Sequence, residues 1–199
     1  MSRDGHIDLA LEDTTHRFRL AIGDLEALQE ATGAGPAALL HRFHAGRLYR
    51  FQDVRDVLRL GLIGGGTPVP QAHAIARRLD GLPCIPLIAK AALVLAAALE
   101  GTEDERVGRS TGAAGPQGRI AFAAFYGAAA AMGLPAADLR AMSLWQLAAY
   151  VDGFNRARDP DAADAPTPQE EDALWAWLQG APGEGFPEGG LPDDDGSPA

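Results

Sequence analysis

Residues 51–66 read Phe-Gln-Asp-Val-Arg-Asp-Val-Leu-Arg-Leu-Gly-Leu-Ile-Gly-Gly-Gly, and their spacing decides the fold class. Val54, Val57, Leu58, Gly61 and Leu62 fall at i, i+3, i+4, i+7 and i+8, one face of a helix, while Asp53, Arg55, Asp56 and Arg59 take the other face. Gly64, Gly65 and Gly66 predict the end of that helix.

The same pattern extends in both directions. Upstream, helices are predicted over about Asp24 to Thr32 and Pro36 to Ala45, separated by Gly33-Ala34-Gly35 and closed by Gly46. Downstream, they are predicted over about Pro70 to Leu79 and Pro86 to Glu100. Only the N-terminus reads differently. Ile7, Leu9 and Leu11, then His16, Phe18 and Leu20, alternate with polar residues at the period of a half-buried strand. The polar segment Glu12 to Thr15 between them predicts a hairpin, which must pack on helices because two strands alone are marginal.

Residues 101–118 have no apolar periodicity and are rich in Gly, charge and small side chains, the composition of a linker. Beyond them, Arg119 to Met132 places Phe122, Phe125, Tyr126 and Ala129 at helical spacing. Ser143-Leu144-Trp145-Gln146 fits a capping box, with Met142 and Leu147 as a hydrophobic staple, and opens a helix expected to reach Arg158 and to bury Leu144, Leu147, Val151 and Phe154. Thr167-Pro168-Gln169-Glu170 repeats that logic for a helix ending at Gly180. The expected architecture is mainly α, or α+β by strict count. It comprises a hairpin with a helical module at 1–100, a linker at 101–118, a smaller helical module at 119–180 and a disordered acidic tail at 181–199.

Composition narrows the function classes. With 47% hydrophobic residues the chain can bury a core, and their concentration in Ala and Leu favours helices. Residues 1–100 carry eleven residues of each charge sign, so the net charge of −10 lies beyond Glu100. An acidic second half repels phosphate and argues against nucleic acid as a partner. The apolar stretch Leu82 to Leu99 holds Lys90 near its middle and two prolines near its start, which reads as a buried helix and not a membrane span. A single cysteine, Cys84, and an N-terminus without the apolar run of a secretory signal give the expectation of a cytoplasmic protein.

No pattern advertises chemistry. His41 and His44 lie at i, i+3 without an acidic or thiol partner at zinc-motif spacing. Gly64-Gly65-Gly66-Thr67 lacks the Lys-Ser/Thr of a phosphate loop, and Gly33-Ala34-Gly35 lacks the third glycine of a dinucleotide fingerprint. Cys84 lies in an apolar stretch and reads as a buried structural thiol. The expectation is therefore no catalytic residue, no metal and no cofactor. The residues singled out for partner contact are Leu58, Leu62, Phe125, Trp145 and Trp175, each of which suits a core equally well. Trp175 stands out because it and Trp177 cannot both be buried on the stripe of Leu174 and Leu178.

The stretches HIDLALEDTTHRFRLAIGDLEALQEATGAG and AGRLYRFQDVRDVLRLGLIGGG together resemble the tail-tube-associated assembly proteins of gene transfer agents and related siphophages. Asp13-Thr14 stands where that pattern has Asp-Gly, and the spacing at Phe51 to Val54 is compressed. The second half, IAFAAFYGAAAAMGLPAADLRAMSLWQLAAYVDGFNRARDP, is similar to a small tail assembly chaperone module. The resemblance implies a non-catalytic chaperone. One module would coat the helical tape-measure protein and the other would bring tail-tube subunits to it, with self-association left open. The alternative it leaves is a structural component of the tail tube.

Overall fold

The computed structural model describes residues 2–46, 49–100 and 118–158, all within one compact unit, Met1–Pro160. Two strands, β1 (His6–Leu11) and β2 (Thr14–Arg19), form an antiparallel hairpin in which Ile7 pairs with Phe18, Leu9 with His16 and Leu11 with Thr14. The loop is therefore Glu12-Asp13, with Glu12 in a left-handed conformation at φ 55°. Leu11 and Phe18 are buried, and Ile7 and Leu9 pack beside them, so the predicted alternation delivers one apolar face.

Helices α1 (Ile22–Thr32), α2 (Pro36–Ala45), α3 (Phe51–Gly64), α4 (Val69–Arg78) and α5 (Cys84–Glu100) follow, with a short 3₁₀ turn at Leu79–Gly81. The mainly helical fold with an N-terminal hairpin is as expected. The core sits between α3 and α5: α3 lies against β2, α5, α4 and α1, and α5 against α2, α3 and both strands. Val54, Val57, Leu58, Gly61 and Leu62 all face inward, as their spacing predicts.

The polar face of α3 departs from expectation. Asp53 and Asp56 are 2% and 7% exposed, not solvated. Asp53 is buried because it caps the helix: its carboxylate accepts the Arg50 backbone N–H (3.1 Å) and the Arg50 guanidinium (3.2 Å). Asp56 is held by Arg59 one turn on, at 3.2 Å. Such capping and pairing satisfy the buried carboxylates, which would otherwise be costly.

The start of β1 is pinned by a polar cluster. The Ser2 hydroxyl donates to Asp4 Oδ1 (2.7 Å), the His6 ring lies 2.5 Å from the same oxygen, and Arg19 Nε donates to the Asp4 carbonyl (2.8 Å). Burial pushes the Asp4 carboxyl up, but hydrogen bonds from Ser2 and from the ring and backbone of His6 outweigh it and hold the pKa at about 2. A pKa depressed from 3.8 contributes stability that is complete above that value and lost as pH falls through about 2. Asp4→Asn is therefore expected to lower the melting temperature by roughly 1–3 °C at neutral pH, with the gap closing as both proteins approach pH 2. Thermal melts of the two across that range check it; a gap independent of pH would contradict it.

The chain resumes with α6 (Phe122–Ala131), α7 (Ala136–Ala141) and α8 (Leu144–Arg158). The capping box of α8 forms as read: Ser143 Oγ accepts the Gln146 N–H (3.1 Å) and Gln146 Oε1 accepts the Ser143 N–H (2.9 Å). Leu147 is buried, but Leu144, Val151 and Phe154 are only half-buried, fewer deep contacts than expected. These helices pack on the first module: α7 lies along α1, and α8 touches α5. The expected linker lies outside the described residues apart from Gly118, as do the helix expected at Thr167 to Gly180 and the acidic tail.

Candidate protein-interaction surface

The residues singled out for contacts are placed very differently from one another. Leu58 and Leu62 are fully buried beneath the hairpin and α5, so they are core positions and offer no surface to a partner. Phe125 is half-buried, edge-on to Phe122 with ring centroids 6.0 Å apart. Trp145 is half-buried, with the Arg3 guanidinium 5.8 Å from its ring centre. Trp175 lies outside the described residues. Leu58 and Leu62 belong to one buried cluster, against which Phe125 packs from its edge, so the described side chains do not form an exposed patch.

The exposed apolar surface lies elsewhere. Among the described residues, the large apolar side chains most open to solvent are Ile85 (80%), Val69 (50%), Leu93 (45%) and Tyr150 (41%). Ile85 and Leu93 are eight positions apart on α5 with exposed Ala89 midway, so the three form one stripe along the helix. The opposite face of α5 carries Leu87, Ala91, Val94, Leu95 and Ala98 into the core. The sequence hides this stripe, because apart from Lys90 the body of α5 is apolar on every side and its period carries little mark of which side meets solvent.

Charged groups flank the fold in pairs. Tyr126 and Arg140 both bind the Glu26 carboxylate, the tyrosine at 3.0 Å, and the Tyr126 hydroxyl and Glu26 together push the Arg140 pKa up. Asp24 is pushed up by burial, against the hydrogen bond it accepts from the Ala21 N–H. His41 and His44 are exposed on α2, and Cys84 is half-buried at the start of α5, less enclosed than expected. Among the described residues no three His, Cys, Asp or Glu side chains converge as metal ligands, and no helix is long and apolar enough to cross a membrane.

Residues 4–101 match the family described as phage tail tube protein, GTA-gp10. No curated protein and no solved structure matches the chain. The match spans the hairpin and α1 to α5, and it stops before α6. The first half of the chain is thus similar to a phage or gene transfer agent tail-related family.

Proposed function

We propose that this protein is a tail assembly chaperone that binds tape-measure and tail-tube proteins during tail morphogenesis in the cytoplasm of the producing bacterial cell, without catalysis. The observation that carries this reading is the tail-family match over a domain built of helices. A protein that coats a helical partner needs an apolar helical surface, and the Ile85–Ala89–Leu93 stripe is suited to it in the manner of one helix laid along another. Reversible coating calls for a modest contact of this kind and not an obligate interface.

The second reading, a structural component of the tail tube, is favoured by the family's description. Its difficulty is the single two-stranded sheet among the described residues, since tube rings are expected to be built by closing many strands.

An aspartate pair at the stripe, Ile85→Asp with Leu93→Asp, separates partner binding from stability. Both side chains are already exposed, so the melting temperature should stay within roughly 2 °C of wild type. Affinity for the helical tape-measure protein should fall at least about tenfold, because each anchor contributes on the order of 1.5–3 kcal/mol when buried. Unchanged affinity by titration calorimetry would remove α5 from the binding surface. Failure of the wild-type chain to bind tape-measure protein at all would sink the chaperone reading itself.

A further inference from the structure

Residues 118–142 run along α1 from its C-terminal end to its N-terminal end, and α8 continues from there against α5. Arg119 donates to the Gly33 carbonyl (2.9 Å), and Gln29 makes a two-way bond with the backbone of Ile120 (2.8 and 3.0 Å). Near the other end the Ile22 N–H donates to the Met142 carbonyl (2.9 Å), Arg19 to the Ala141 carbonyl (2.7 Å), and the Ser143 hydroxyl to the Arg3 carbonyl (2.7 Å). Nearly all of these bonds end on main-chain atoms. The deep side-chain anchors are few: Leu139 is fully buried, Ala129 is 2% exposed, and Leu147 and Phe122 are 5% and 9% exposed.

The tail-family domain is shaped to receive this segment. A Cβ added at Gly35 would fall 1.8 Å from the Gly118 carbonyl oxygen, and one at Gly23 would fall 3.2 Å from the Arg140 Cβ. Gly35 has φ −70° and ψ 149°, a conformation open to any residue, so its own backbone does not require glycine. What requires it is the close approach of Gly118. The segment that fits there lies beyond the end of the family match at 101.

We infer that the α1 face of residues 4–101 is a helix-binding surface, and that residues 118–158 occupy it in cis as a releasable strap. The face takes a helical segment that places a large apolar anchor beside an arginine, as Leu139 and Arg140 do, so that the arginine reaches Glu26. A partner helix of that chemistry competes with the strap at a high effective concentration of the latter, which keeps the face closed until the partner is abundant or strongly bound. The inference stands independently of the chaperone reading, because it concerns which segment covers α1 and whether it leaves.

The test uses the full chain with Leu139→Asp, which spoils the strap's deepest anchor and leaves the α1 face unaltered, and a labelled peptide of residues 118–158 as probe. The peptide should bind the Leu139→Asp chain at least about tenfold more tightly than wild type, where the face is already occupied. Gly35→Ala, introduced into the same chain, should abolish that binding, because the added methyl meets Gly118 of the peptide too. Equal peptide binding to wild type and Leu139→Asp would overturn the inference. Hydrogen exchange on the wild-type chain decides the matter should the variant unfold: earlier opening of α6 to α8 than of α3 and α5 supports a strap, whereas exchange of all of them in one global step makes the segment integral and overturns it.

Discussion

Phe18→Ala is expected to destabilise the fold by about 3–5 kcal/mol, the largest loss of any single truncation in the hairpin. Phe18 is the fully buried residue through which β2 grips α3. Its ring lies so close to Gly61 that a Cβ there would fall 3.1 Å from Phe18 Cδ1 and 3.1 Å from Val94 Cγ1. Phe18, Gly61 and Val94 thus form one three-element contact between hairpin, α3 and α5. Among the described residues the hairpin has no other sheet to lean on, so the loss should appear as a drop of roughly 10 °C in melting temperature with the hairpin and α3 losing exchange protection together. A change under about 1 kcal/mol would mean the hairpin is not integral to the core.

Gly65→Ala should cost about 3 kcal/mol although it adds only a methyl group. The C-terminal end of α3 abuts the main chain of β2: a Cβ at Gly65 would lie 2.0 Å from the Arg17 carbonyl oxygen, and one at Gly64 would lie 2.3 Å from that of Arg19. Backbone carbonyls in a paired strand cannot swing aside as a side chain can, so helix and hairpin must separate. Gly66 provides the control. It has φ 96° with nothing within 4 Å of an added Cβ, so Gly66→Ala should cost only about 1 kcal/mol of backbone strain. Urea titrations of the two variants check the ranking, and equal midpoints would contradict the close-approach explanation.

These glycines show what the sequence carried and what it did not. Gly64-Gly65-Gly66 is legible as a helix stop, and the helix does end there, but its tight seating against β2 joins positions nearly fifty residues apart and leaves no local signal. The alternation of the hairpin strands, the inward face of α3 and the capping box at Ser143 were legible because each rests on spacing or on contacts within one or two turns, whereas the loop is the two residues Glu12-Asp13 and not the whole Glu12 to Thr15 segment. Asp53 and Asp56 were not, since a carboxylate read as solvated can be buried once a cap or a neighbouring arginine satisfies it. Leu58 and Leu62 illustrate the limit for interaction sites: an amphipathic stripe specifies burial without saying whether the protein's own core or a partner supplies it. Ile85 and Leu93 were missed for the converse reason, their exposure being unmarked in a helix whose only mid-helix charge is Lys90. Packing of α7 along α1, through buried Leu139, the Arg140–Glu26 pair and the Met142 and Ala141 carbonyls, joins residues more than a hundred positions apart and leaves no local signal.

The proposed chaperone role has the protein act on the tail during assembly and stay out of the finished tail. The most direct measurement is quantitative peptide mass spectrometry of this chain in two fractions from particle-producing cells: complexes captured on the tagged chain, and purified mature particles. Tape-measure or tail-tube protein is expected in the captured complexes, and none of this chain in mature particles. Stoichiometric presence in mature particles would contradict it and make the protein a structural component of the tail tube.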